Sequence, residues 1–223
     1  MRRRSSGEVI YMEKSRAVRL AERKEVRILS DESVTKETRI IQDNPVIHTA
    51  IPFLPGCAVG AAYNQFMASI NGWALILDHD IYLVNPHWYT ICRDAINQVG
   101  QSCGWLTCYT NRIGCPNQVL PGVNTTSHDM LYHREVAKKI YNRNLGRIID
   151  HTQSKYYYSG MFILTNKKAW ETVHGFSESG FFGVDIDYCR KLRKAGFKTM
   201  LMSDLYVYHG YMREVLKPYF TKE

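Results

Sequence analysis

The chain has 223 residues, with 45% apolar and 22% charged side chains, the values of an ordinary soluble domain. No run approaches the roughly 18 uninterrupted apolar residues of a membrane span, and "MRRRSSGEVIYMEKSR" has no apolar stretch behind its basic residues, so it does not read as a secretory signal. The formal net charge of +8, from 29 basic and 21 acidic side chains, suits an anionic partner: a nucleotide diphosphate, an acidic membrane surface or nucleic acid. Because no nucleic-acid motif accompanies the charge, a small phosphorylated ligand ranks first. The six cysteines form no C-x-x-C pair and lack zinc-ribbon spacing, which predicts scattered buried thiols in a reducing, cytoplasmic setting, with peripheral membrane attachment left open.

In chain order, "EVIYM" (8–12) and "VRILS" (26–30) read as strands around a charged helix over 13–25. The stretch "GCAVGAAYNQFMASI" (56–70) carries Ala58, Ala61, Ala62, Gln65 and Ala68 at helical spacing, and Gly72 follows its end. "WALILD" is a continuous apolar strand, the pattern of a central parallel strand covered on both faces. Residues 100–155 are less regular and read as strands joined by loops, apart from a helix in "HREVAKKIYNRNLG" that stops at Gly146. "KYYYSGMFILTNKKAWETVHGF" reads as strand, short helix and turn. "DIDYCRKLRKAG" is a helix expected to bury Ile186, Cys189 and Leu192 or Arg193, with Gly196 at its C-terminal end. "FKTMLMSDLYVYHGY" supplies one or two further strands. Strands alternating with helices predict an α/β fold around a mostly parallel sheet, in one domain spanning 1–223.

Ligands of open α/β sheets bind beyond the carboxyl ends of the strands. In "ALILDHDIYLVNP" the apolar strand ends there on Asp78 and Asp80, whose i, i+2 spacing in extended backbone points both carboxylates to one side. Paired hard oxygen ligands suit Mg²⁺ or Mn²⁺, which fill their shells with water and substrate phosphate. His209, after the last apolar strand, is a candidate third ligand. Asp185 and Asp187 open the helix after "GFFG", where a carboxylate can cap the helix or act as a general base.

The ordered set "ILSDESVTKET", "GCAVGAAYNQFMASINGWALILDHD", "YYYSGMFILTNKKAWETVHGFSESGFFGVDIDYCRKLRKAGFK" and "VYHGY" resembles the family 2 glycosyltransferases of GT-A fold over residues 8–212. That resemblance implies a helix-flanked, mostly parallel sheet with a small second sheet. Residues 8–85 would form the nucleotide-sugar half and 86–212 the acceptor and catalytic half. It implies transfer of a sugar, with inversion, from a nucleotide-diphosphate donor to an acceptor hydroxyl, UDP being the family's commonest donor nucleotide. By the same likeness Asp78 and Asp80 carry Mn²⁺ or Mg²⁺ and the donor diphosphate, His209 joins them, and Asp185, or else Asp187, is the base. Asp31, Ser33 and Asn64 fall on the donor side; Tyr158, Gly160, Trp170 and Phe182 fall on the acceptor side. The sequence departs from the family pattern in three places: Tyr11 alone represents P-x-Y-N, Val184 replaces the glutamate of E-D-x-D, and His174 replaces the first glycine of the G-G-F turn. A non-catalytic sugar-nucleotide or glycan-binding module on the same fold is the competing expectation.

Overall fold

The computed structural model describes residues 44–179 and 182–211. Strand β1 (Ile47–Ala50) leads through a short 3₁₀ turn to helix α1 (Val59–Ser69), then to β2 (Trp73–Leu77) and the two-residue β3 (Ile81–Tyr82). Helix α2 (Trp88–Val99), β4 (Cys103–Thr110), α3 (Met130–Asn144) and β5 (Ile148–Asp150) follow. The chain continues through β6 (Phe162–Asn166), α4 (Lys167–Thr172), α5 (Val184–Lys194) and the twelve-residue β7 (Lys198–His209). The strands at 8–12 and 26–30, and the helix between them, lie outside the described residues.

Every residue of β2 is buried, and the alternation of its side chains divides the core in two. Ala74 and Ile76 point to the layer of α1, α4 and α5, where Tyr63, Met67, Ala169, Tyr188 and Leu192 pack. Leu75 and Leu77 point to the opposite layer, against Ile91, Cys92, Ala95 and Ile96 of α2. Trp73, expected in the core, is there.

The seven strands run in the order β1-β2-β6-β4-β7-β3, with β5 pairing to β7. This sheet is mixed, which corrects the expectation of a mostly parallel one. Among the described strands only β1–β2 and β4–β7 are parallel; β6 is inserted antiparallel between β2 and β4, and β3 and β5 are antiparallel to β7. A continuous apolar run reports that both faces of a strand are covered by helices. It carries no information on the direction of its neighbours.

Two further differences concern helices. Residues 88–99, for which the sequence analysis names no element, form α2, burying Ile91, Cys92, Ala95 and Ile96 at helical spacing. In α5 the buried face is Val184, Tyr188, Cys189 and Leu192, while Ile186 is 48% exposed. Stacking of the Tyr188 ring on Phe176, 3.9 Å between centroids, fits that rotation of the helix.

Small residues on α1 have a packing reason. A Cβ built on Gly60 would lie 1.8 Å from the Ser177 carbonyl oxygen, so only glycine lets the 175–179 loop rest on the helix. Among the described residues no helix is long and apolar enough to cross a membrane.

Candidate metal centre

The end of β2 and the end of β7 meet through β3. Ile81 pairs with His209, and the Gly210 N–H donates to the Asp80 carbonyl at 2.9 Å, which carries the end of β7 past the D-x-D turn. Asp78 is held at the strand end by its N–H donating to the Met161 carbonyl at 3.1 Å. As a result Asp78, Asp80 and His209 each offer a ligand atom within 4.8 Å of the others. Asp80 and His209 are buried, at 7% and 5% exposure, and the His209 Nε2 lies 3.3 Å from Asp80 Oδ1.

The imidazole is oriented from behind. Its Nδ1 lies 2.9 Å from the Arg112 carbonyl, an acceptor only, so Nδ1 donates there and Nε2 faces the two carboxylates. Asn111 fixes the backbone of the same residue twice: its Oδ1 accepts from the His209 N–H at 2.8 Å, and its Nδ2 donates to the His209 carbonyl at 3.2 Å. A buried histidine tethered to a backbone carbonyl through one nitrogen, with the other facing carboxylates, is the usual support of a metal ligand.

Electrostatics agree with a cation at this spot. Burial pushes the Asp78 carboxyl above its ordinary value; His209 acts in the opposite direction, and the charges of Asp80 and Asp185 add to the upward shift. The phenol of Tyr63, projecting from α1, is pushed far upward by burial and then by the charges of Asp78 and Asp185. A divalent ion would relieve the crowding of carboxylates, and the donor set of two carboxylate oxygens and one imidazole nitrogen suits Mn²⁺ or Mg²⁺.

Asp185 belongs to this neighbourhood through α5. Its Oδ2 accepts from the Gly160 N–H at 2.8 Å and its Oδ1 from the Ile186 N–H at 2.8 Å, which leaves each oxygen a further lone pair. A Cβ on Gly160 would come within 3.1 Å of the Asp185 Cβ, so Gly160 serves by letting its backbone approach. Asp187 is occupied elsewhere. Arg190 lies 2.7 Å and Lys191 2.8 Å from its carboxylate oxygens. Partial burial acts to raise its carboxyl, but hydrogen bonds and charge from Lys191 and Arg190 outweigh that and hold it below the usual range.

The remaining candidates separate. Asn64, expected on the donor side, is consumed by the protein itself. Its Oδ1 accepts from Trp170 Nε1 and the Phe176 N–H, and its Nδ2 donates to the Phe176 carbonyl and to Glu178 Oε1, at 2.8–3.0 Å. Both amide protons and both lone pairs are taken, so Asn64 pins α1 to the 176–178 loop. Tyr158, expected on the acceptor side, is fully buried, packed edge-on against Trp105 and hydrogen-bonded to His151. A ring with no exposed face cannot stack on a sugar.

Trp170 is half-buried under the Lys167 ammonium, 4.6 Å from its ring, and lines a groove between α1 and α4 that none of the three candidate ligands lines. Phe182 is 81% exposed just before α5. Asp31, Ser33 and Tyr11 lie outside the described residues. His174, standing where the family pattern has glycine, keeps the turn by adopting a φ of 57°.

Two supporting residues had escaped the sequence reading. Tyr63 adjoins Asn64 and shares the buried helix stripe with Met67, so its pattern marked it only as core. Asn111 follows β4 as an ordinary strand-end asparagine, and nothing local ties it to a histidine 98 residues away. The cysteines behave as expected where described: Cys92, Cys103, Cys108, Cys115 and Cys189 are unpaired and buried. Burial pushes the thiols up, Cys103 to about 12 and Cys189 to about 11, which makes them poor nucleophiles.

A scan against protein-family models matches no family, and a search of curated proteins finds no match.

Proposed function

We propose that this chain is a metal-dependent inverting glycosyltransferase of GT-A type, moving a sugar from a nucleotide-diphosphate donor to an acceptor hydroxyl. The observation that carries the reading is the convergence of Asp78, Asp80 and His209 at the sheet end, with Asp185 near enough to perturb the Asp78 carboxyl. The ordered sequence motifs add the sugar-transfer chemistry, and UDP is the first donor nucleotide to try. Buried unpaired thiols suit a reducing, cytoplasmic compartment.

Asp78, Asp80 and His209 would hold Mn²⁺ or Mg²⁺, which supplies Lewis-acid stabilisation of the charge collecting on the departing diphosphate. The residues themselves do the rest. Asn111 and the Arg112 carbonyl keep the His209 ring turned so that Nε2 faces inward. Asp185 accepts the proton of the attacking hydroxyl, a contribution of roughly 10²–10⁴-fold, while the Gly160 N–H keeps its carboxylate in place. Asp187 is the weaker choice of base, because two neighbouring cations stabilise its charged form. Attack from the face opposite the diphosphate inverts the anomeric carbon.

The test is a panel of nucleotide-sugars with MnCl₂, read by calorimetry and by donor hydrolysis or transfer. Binding with metal-dependent turnover supports the enzyme. Binding without turnover supports the non-catalytic module, and absence of any nucleotide-sugar binding removes both.

A further inference from the structure

We infer that the outer face of α3 is a docking surface for anionic lipid headgroups, which would hold the protein at the surface of an acidic membrane. Among the described residues the excess of positive charge lies on two helices, and the structure treats them differently. On α5, Arg190 and Lys191 are bound to Asp187, Arg193 donates to the carbonyls of Ser154 and Tyr156 and to the Thr199 hydroxyl, and Lys194 alone is exposed with no ion-pair partner among the described residues. On α3, Arg134, Lys138, Lys139 and Arg143 are all exposed, and among the described residues none has an ion-pair partner. Glu135 is the one acidic residue within the helix, so this face carries a net charge of +3.

Apolar side chains complete the surface. Leu131 and Leu145 are 70% and 67% exposed, near the two ends of the same face. At 100° per residue, Leu131, Lys138, Asn142 and Leu145 fall within about 60° of arc, with Arg134 and Lys139 on either flank. The opposite face, around His133 and Ala137, is packed on β7, which fixes the direction in which the strip points. Cations that meet lipid phosphates, with Glu135 the one acid among them and leucines at both ends, make a basic membrane-facing cluster held by electrostatics and two apolar contacts. The two exposed leucines favour this occupant over nucleic acid, which offers no apolar layer.

The placement has a functional side. His128, two residues before α3, hydrogen-bonds the Tyr208 hydroxyl at 2.6 Å, and Tyr208 precedes His209. The N-terminal end of the docking helix therefore sits beside the strand that carries the candidate metal ligand. The inference stands on the charge and burial of α3 and holds whether or not the site transfers sugar.

Each lysine or arginine near an anionic surface strengthens binding about fivefold, so a net of three charges predicts on the order of 100-fold preference for anionic over zwitterionic vesicles. The experiment is co-sedimentation of the full chain with phosphatidylcholine vesicles with and without about 30% phosphatidylserine, in 0.1 M salt. Sedimentation with the anionic vesicles alone, released by 0.5 M salt, supports docking. Lys138→Ala/Lys139→Ala/Arg143→Ala should lose at least tenfold and Leu131→Ser/Leu145→Ser several-fold, whereas Lys155→Ala/Lys168→Ala, which removes exposed cations elsewhere, should bind as the parent does. Equal binding to both vesicle types, full binding by the α3 charge variant, or preferential capture by a short RNA duplex would overturn the assignment. All these side chains are exposed, and matched melting temperatures verify that the variants fold.

Discussion

Replacing Asp78 by asparagine should make the metal-free protein more stable and the metal-treated protein less so. The ligand atoms of Asp78 and Asp80 lie within 4.8 Å. At an effective dielectric of about 20, two unit charges at that separation repel by about 3.5 kcal/mol. Burial adds to the penalty on the Asp78 charge, and His209 offsets part of it. Asparagine has nearly the same shape, so the substitution removes charge with little change in packing. A net gain of about 1–3 kcal/mol follows, which for a chain of this size is roughly 2–10 °C in melting temperature. With metal the order reverses. A divalent ion at 100 times its dissociation constant stabilises the parent by about 2.7 kcal/mol, and the variant, short of one anionic ligand, should lose most of that. Differential scanning fluorimetry at neutral pH, in EDTA and then in MnCl₂, reads both halves. If Asp78→Asn melts below the parent in EDTA, or keeps the full Mn²⁺-induced shift, the three side chains do not form a cation site.

Asp185→Asn should retain the Mn²⁺-induced stabilisation while lowering turnover by roughly 10²–10⁴-fold; loss of metal or nucleotide binding instead would make Asp185 a structural residue. Gly60→Ala should destabilise by about 2–3 kcal/mol, because its Cβ would drive α1 off the Ser177 carbonyl, and a change under 0.5 kcal/mol in urea unfolding would contradict the packing described. Asp204, buried and accepting from the Gly146 N–H at 2.7 Å, has its carboxyl raised, first by burial. The stability it contributes is complete below its ordinary value of 3.8 and is lost as pH rises through the higher folded value. Asp204→Asn should therefore be more stable than the parent at pH 7, with the difference shrinking as pH falls toward 3.8; a variant less stable at pH 7 in urea unfolding would reverse the sign of this argument.

Much of the layout was legible in residue patterns. The all-apolar "WALIL" marked a strand covered on both faces, and it is buried throughout. Small residues at helical spacing marked α1, although their reason, the approach of Ser177 to Gly60, was not visible. Helix α2 could have been found from the spacing of Ile91, Cys92, Ala95 and Ile96. The rotation of α5 could not, because Val184 and Ile186 are equally apolar and only the fit of Tyr188 against Phe176 distinguishes them.

The sequence by itself determined that two carboxylates, one residue apart, stand where a buried strand surfaces, because alternation along extended backbone is a local property. Tertiary structure decided what surrounds them. Strand direction, the arrival of His209 beside Asp80 through the β3–β7 pairing, the tethering of that imidazole by Asn111, and the separation of Asp185 from the ion-paired Asp187 all depend on contacts between distant segments. Such contacts follow from how whole layers pack, and no periodicity within a single segment encodes them.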